Sequence, residues 1–431
     1  MRVIVLFCLA VWTSGVAAQD VDNCIECHAE EEDEIGAPVQ LMLNDVHARQ
    51  GLSCADCHGG DPNTDDEDEA MWDAEDFRGA PDKDEIPDFC GSCHSDATYM
   101  RQYDPSLRVD QEALYHVSTH GRLLDAGDTQ VATCISCHDA HGILPSSDPR
   151  SPVYPANVPG TCGVCHSDAE YMADYDIPTD QQAKYSGSVH GRPLLDGHDL
   201  SAPTCNDCHG NHGATPPGVK SLVNVCGQCH AVMADFVKES PHEIGYEKLG
   251  IAACTTCHSH HDIATPSDDM VGNNASAVCA RCHSPEARSM TIAASDEKVE
   301  LANLERGWQG AAVIRTALDS LRLMHALADS IAREAERAGM SVEDVLYDIN
   351  EAHGRLTRAR SVLHSFTPDR VLEVTGEGME LATRARDAGY QALDDLDYRR
   401  EGLALSLIVI AVLGLALYAK IRDLDSERNP S

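Results

Sequence analysis

The sequence predicts a mainly α-helical protein with long ordered loops: a motif-rich N-terminal region, then a helical bundle, then one membrane-spanning helix. Three observations predict it. The pentapeptide C-x-x-C-H recurs nine times between Cys24 and His283. After about Ser289 no motif cysteine remains, and Ala, Leu, Glu and Arg take over. Gly402–Ala419 (GLALSLIVIAVLGLALYA) is an uncharged apolar run. The expected boundaries are 1–18 for a signal peptide, 19–288 for the motif region, 289–400 for the bundle, 401–420 for the spanning helix and 421–431 for a tail.

The motif region is organised around Cys162–Gly213. This stretch holds two motifs, a lone His190 in SVHG between them, and His212 in CHGNHG after the second. Cys90–Gly142 repeats the grammar with His120 and His141. Agreement outside the motifs, at Tyr99 and Tyr171, Met100 and Met172, and Tyr103 and Tyr175, marks a duplicated module. A shortened first module carries motifs at Cys24 and Cys54 with His47 between them. There Asp61 stands where the later modules place a second extra histidine. An acidic linker, Pro62–Asp88, separates it from the second module, and Pro145–Pro159 joins the second to the third. A compressed fourth module holds motifs at Cys226 and Cys254, with His242 and His261. The last motif, at Cys279, is a half module.

C-x-x-C-H is the attachment sequence of a c-type haem. Two thiols three residues apart reach the two vinyl groups on one side of the macrocycle, and the adjacent histidine falls over the iron as the proximal ligand. The attachment cysteines are Cys24 and Cys27, Cys54 and Cys57, Cys90 and Cys93, Cys134 and Cys137, Cys162 and Cys165, Cys205 and Cys208, Cys226 and Cys229, Cys254 and Cys257, and Cys279 and Cys282. The proximal histidines are His28, His58, His94, His138, His166, His209, His230, His258 and His283. Only Cys8, in the N-terminal apolar run, is left over. Zinc ribbons do not require a histidine after every second cysteine. A thiol–disulfide role needs one reactive pair, and structural disulfides give no reason for the histidines. The expectation is nine covalently attached haems. They also answer a packing problem, because a region with few Leu, Ile or Phe runs needs the macrocycles as its core.

The extra histidines predict the wiring. His141 lies three residues after His138, as His212 does after His209 and His261 after His258. Such residues share a helical face, whereas the two axial ligands of one iron approach from opposite sides. His141, His212 and His261 are therefore expected to reach neighbouring haems. His47, His120, His190 and His242 sit in Gly- or Ser-flanked segments, read as flexible, and are expected to reach back as distal ligands. These seven leave two irons short, and His116 and His198 are expected to complete the set, ahead of His260. The alternative is an open iron or a Met ligand in the first or the last module.

Composition bounds the partners. Asp and Glu number 71 against 32 Lys and Arg, a formal charge of −39. This argues against nucleic-acid binding. It suits a basic redox partner, and equally an acid-rich proteome. The run Asp61–Glu69 is read as a solvated acidic loop. Met1–Ala18 has the form of a signal peptide, with Arg2, the apolar run Val3–Trp12 and a small-residue site at Val16–Ala18.

In the C-terminal part, Leu318, Leu321, His325, Ala328, Ala332 and Ala335 recur at helical spacing. Gly339 ends that helix. Ser341 with Asp344 reads as a cap for the next, whose apolar face carries Val342, Val345, Ile349 and Leu356. Thr367-Pro368 starts a third, weakened by Gly376 and Gly378. This is an antiparallel three-helix bundle. His325, His353 and His364 lie in it and are read as structural. Gly402–Ala419 is long enough to span a bilayer. With Lys420 and Arg422 after it, the haems are expected outside the cytoplasmic membrane of a bacterium and the tail inside.

The pattern C-x-x-C-H … S-x-H-G … C-x-x-C-H-x-x-H-G resembles the multihaem c-type cytochromes of the doubled-motif type. That group includes small periplasmic electron carriers and, more distantly, octahaem hydroxylamine-oxidising enzymes. The likeness covers about Cys24–His283. It implies bis-histidine haems in close-packed pairs and electron transfer. The closing helices and anchor look like membrane-tethered redox subunits. Membrane-bound quinol-oxidising tetrahaem cytochromes usually carry an N-terminal anchor, so their quinol site is not carried over. The expected function is electron carriage between a membrane quinol-oxidising partner, such as a b-type cytochrome subunit, and a periplasmic or extracellular acceptor. The alternatives are an enzyme with one open haem acting on a nitrogen or sulfur oxyanion or hydroxylamine, and a structural subunit. The C-x-x-C-K site of ammonia-forming nitrite reductases is absent.

Overall fold

The computed structural model describes residues 22–31, 35–72, 76–218, 222–287 and 301–428, so the expected signal peptide and Cys8 lie outside the described residues. Among the described residues, helices are the only regular elements. The chain divides into two units, Met1–Pro216 and Pro217–Ser431.

In the first unit the helices are four to nine residues long, and the sequence dictates both their ends. The second motif of each module starts on a capping box: Ser53 with Asp56, Thr133 with Ser136, Thr204 with Asp207. It stops at once after the histidine, where Gly59, Asp139 and Gly210 take positive φ. First motifs instead close nine-residue helices, Ile86–His94 and Val158–His166, each entered through a proline in its first turn. The apolar core is small and duplicated. Ile86 and Val158, Met100 and Met172, Tyr115 and Tyr185, and Leu124 and Leu194 are all buried. The buried tyrosines repeat a bond as well: Tyr115 donates to the Ala132 carbonyl and Tyr185 to that of Pro203, both at 2.8 Å.

The second unit joins the fourth module to the bundle. Its long helices are α1 (Leu301–Arg337), α2 (Glu343–Val362) and α3 (Pro368–Arg428). Leu318, Leu321, Ala352, Leu356, Val371 and Ala382 fill one end of the bundle. Ala328, Ala332, Ala335, Val345, Ile349 and Ala385 fill the other. The start of α2 differs from the expected cap. Val342 occupies the N-cap position with no side-chain bond, and Ser341 pairs with the Glu343 carboxylate. Val342 is itself buried, so apolar packing fixes this end. The fourth module packs on the same bundle, where Phe236 and Val271 touch its core. Asp268 accepts two bonds from Arg360, at 2.9 and 2.8 Å, and Arg315 donates to the Asp268 carbonyl at 2.7 Å. These contacts place the division of the chain at Pro216, upstream of the change in composition near Ser289.

Gly376 and Gly378 do not interrupt α3, because Val371, Val374, Ala382 and Ala385 bury its inner face. The helix runs unbroken into the apolar segment, where Leu403, Leu405, Ile408, Ile410, Leu413 and Leu417 are all exposed. It is long and apolar enough to cross a membrane. At about 1.5 Å per residue, α3 rises roughly 50 Å between Pro368 and Gly402.

The two glycines make opposite predictions. A Cβ on Gly378 would lie 2.7 Å from Leu321 Cδ2, whereas Gly376 has nothing within 4 Å. Gly378→Leu should destabilise the bundle by about 1–3 kcal/mol, and Gly376→Ala should stabilise it by up to about 1 kcal/mol. Helix melting followed by circular dichroism checks both; equal effects would contradict the packing.

Candidate metal centres

None of the eighteen motif cysteines forms a disulfide, and each motif histidine lies in or just after a short helical turn. The thiols approach one another across motifs. Within a module the first cysteines meet: Cys90 and Cys134, Cys162 and Cys205, and Cys226 and Cys254 share hydrogen bonds. That bond raises one thiol of each pair and lowers the other. Cys90, Cys162 and Cys254 rise, Cys134 falls, and Cys205 and Cys226 fall to about 7. Between modules the influence is electrostatic: after burial, Cys93 is the largest cause raising Cys57, while Cys165 adds to the rise of Cys137 and Cys279 and Cys282 to that of Cys257.

The histidines pair as well. Two imidazoles that bind one metal from opposite sides, each nitrogen about 2 Å from it, hold their centroids roughly 6 Å apart. His47 stands 5.8 Å from His94, His120 6.1 Å from His166, and His242 5.7 Å from His283. In these three pairs, a histidine of one module faces the first motif of the next. His58 stands 6.1 Å from His141, and His138 6.2 Å from His212. Here the histidine after a second motif faces the second motif of the preceding module. A sixth pair, His258 and His364, has its centroids 6.2 Å apart.

Burial holds His94, His120, His138, His141, His166, His212, His258 and His364 below the ordinary imidazole range, and His242 falls to about 4. A neutral imidazole keeps the lone pair that a metal needs. Several rings are also aimed. The Nδ1 of His58 donates to Gly79 (2.7 Å), that of His283 to Leu304 (3.0 Å) and that of His364 to Ser361 (3.0 Å), all carbonyls. His47 Nδ1 donates to the Asp45 carboxylate at 3.0 Å. Fixing Nδ1 in this way leaves Nε2 as the ligand atom.

The segments carrying His47, His120, His190 and His242 are ordered helix starts, where flexible loops were expected. A buried Asp or Ser lies two residues ahead of the histidine in every copy: the N-caps Asp45, Ser118 and Ser240, and Ser188, which precedes the N-cap His190. Asp45 and Ser240 accept the N–H of the histidine itself, at 2.8 and 3.2 Å. Ser188 accepts from His190 and Gly191, and Ser118 from Gly121. The repeated D/S-x-H is legible in the sequence as a cap signal. Asp45 does more, since its other oxygen accepts the Ile143 N–H at 2.7 Å and so anchors the loop after His141.

His116 and His198 stand apart from these pairs. His116 donates to Asp125 at 3.0 Å, and its other ring nitrogen lies 3.8 Å from Asp88. His198 is exposed, at φ +52° in a turn. His260 lies against the ring of His261. His209, His230 and His261 carry the positions their motifs and repeats give them.

A family model described as cytochrome c3 matches residues 46–167 and 197–284. The matched residues mark the motif region as that of a multihaem c-type cytochrome. No curated protein and no solved structure gives a significant match. The family match implies covalently bound c-type haem, and the residues fit it. Paired cysteines precede each motif histidine, and the facing rings stand at the separation of two axial ligands.

Two substitutions probe this arrangement. Asp45→Ala leaves the two His47 donors and the Ile143 N–H without their acceptor. It should cost on the order of 3 kcal/mol and shift a component of the redox titration; an unchanged melt and titration would contradict the orienting role. A Cβ on Gly307 would lie 2.2 Å from His283 Cε1. Gly307→Val should therefore disturb the haem at Cys279–His283, read as an altered axial signature in electron paramagnetic resonance. Gly354→Ala, with nothing within 4 Å, is the control that should leave it unchanged.

Proposed function

We propose that this protein is a membrane-anchored, extracytoplasmic nonahaem cytochrome that carries electrons along a row of haems. The observation that carries the reading is the facing of histidine rings across modules, with centroids 5.7–6.2 Å apart. Bound haem supplies one-electron redox chemistry at iron. The chain supplies two thioether attachments and a proximal histidine per motif. His47, His120, His141, His190, His212, His242 and His261 serve as sixth ligands. Two imidazoles on one iron leave no position for substrate, so each such centre only accepts and passes on an electron.

The anchor is α3, placing the protein in the cytoplasmic membrane with its haems toward the periplasm or cell exterior. Along α3 the fourth module stands roughly 50 Å from the apolar segment. Quinol electrons therefore reach its haems through a partner that carries a redox centre outward, such as a b-type cytochrome subunit. The acceptor is a soluble or extracellular redox protein, and a basic contact face suits the charge of −39.

A second reading attaches to His28. The first motifs of the second and third modules and of the half module face a histidine from the module before, and residues 1–23 carry none. Among the described residues no histidine ring faces His28. An open sixth position there would be the site for a nitrogen or sulfur oxyanion or hydroxylamine.

Intact-mass measurement of protein made with a haem-attachment system should show nine haem additions, and a haem-free, zinc-bearing product would sink the reading. Spectra of the same sample separate its two forms. Entirely low-spin haem fits the conduit, and one high-spin haem that binds small ligands fits an open centre.

A further inference from the structure

We propose that His364, on the turn between α2 and α3, is the sixth ligand of the haem iron attached at Cys254 and Cys257. The bundle would then complete one centre of the haem row. The inference rests on the haem reading above.

The pairing pattern isolates this centre. Second-motif histidines face the histidine that follows the second motif of the next module: His58 faces His141, and His138 faces His212. For His258 that donor would belong to a fifth module. Downstream of His283 the sequence holds no further C-x-x-C-H, so the half module offers no such histidine. His364 stands in its place, with the same geometry. Its centroid lies 6.2 Å from that of His258, with 22° between the ring planes. The two repeat-built second-motif pairs stand at 6.1 Å and 25°, and at 6.2 Å and 9°. First-motif pairs form a different class, with planes 52–77° apart.

The turn is built to present this ring. Leu363–Ser365 is a single tight helical turn, and Phe366 follows at φ +49°. The His364 Nδ1–H donates to the Ser361 carbonyl, which leaves Nε2 as its ligand atom. Arg360, one turn earlier, holds Asp268 of the fourth module through two bonds. Phe366 lies 4.0 Å from the ring of His242, the histidine that faces His283. The other bundle histidines differ, since His325 and His353 face each other at 5.4 Å.

The test uses full-length holoprotein in detergent, with wild type measured alongside. His364→Ala should add high-spin haem equal to one centre in nine, seen by electron paramagnetic resonance and visible spectra. Added imidazole should return that increment to low spin, a rescue that a purely structural histidine would not give. His353→Ala should leave the spectra unchanged. His364→Met keeps a ligand atom and the packing, so it should stay low-spin while one component of the redox titration moves to higher potential. An unchanged spectrum in His364→Ala, or an unchanged titration in His364→Met, overturns the assignment. Mass measurement on the same samples, with nine haems on wild type and variants alike, keeps this outcome separate from the reading of the motifs.

Discussion

The two axial ligands of one iron must approach from opposite faces of the macrocycle. A short stretch of chain cannot do this, so each centre joins segments that are distant in sequence. The facing histidines are separated by as little as 41 residues, from His242 to His283, and as much as 106, from His258 to His364. Each ligated iron therefore closes a long loop. Closing a loop costs entropy that grows only slowly with its length, and metal coordination supplies free energy that is also folding free energy. This explains how a region with a small apolar core can hold one arrangement. Leu124, Leu194 and a few neighbours are buried, and caps order the ends of very short helices; the ligation proposed above would add metal-centred cross-links.

The same constraint sets what the sequence could tell. The motifs are local, so the expected proximal residues could be named one by one. The direction of each cross-link was legible only in part. The three-residue offset between His138 and His141 already required His141 to face another centre. It did not say which one, because that depends on how modules follow one another in space. His47 and its counterparts were read as flexible because Ser and Gly flank them. In fact the serine two residues before the histidine is buried and accepts a backbone N–H, and in the first module Asp45 fills that role with a charge to spare for the Ile143 loop. His116 and His198 were chosen by counting. Counting ignores the carboxylates beside His116, and Asp125 and Asp88 are brought to it only by the fold. No local signal separated His364 from His325 and His353, since all three sit on helical stretches. What distinguishes it is the turn that carries it and the module packed against that turn.

The bundle shows where helical periodicity succeeds and where it misleads. The apolar stripes of α1 and α2 were legible because burial follows the helical repeat directly. Gly376 and Gly378 were read as weakening the third helix because intrinsic propensity penalises glycine in a helix. Tertiary packing reverses that judgement at Gly378, where the absent side chain lets α3 approach Leu321. The same use of glycine recurs near the start of α1. Gly307 lets the helix come against the His283 ring, and the Leu304 carbonyl, one turn earlier, takes that ring's Nδ1–H.

These contacts change what the bundle is. A helical stalk beside a haem region could be a passive spacer. Here α1 orients His283, the turn after α2 faces His258, and Phe366 touches His242. The last two motifs of the row thus take part of their surroundings from the element that continues into the apolar segment. α3 links that turn to the apolar segment as one helix with no hinge, so its length fixes a separation that a flexible tether would leave open. Side-chain positions at the top of the helix thus set the surroundings of the last two motifs.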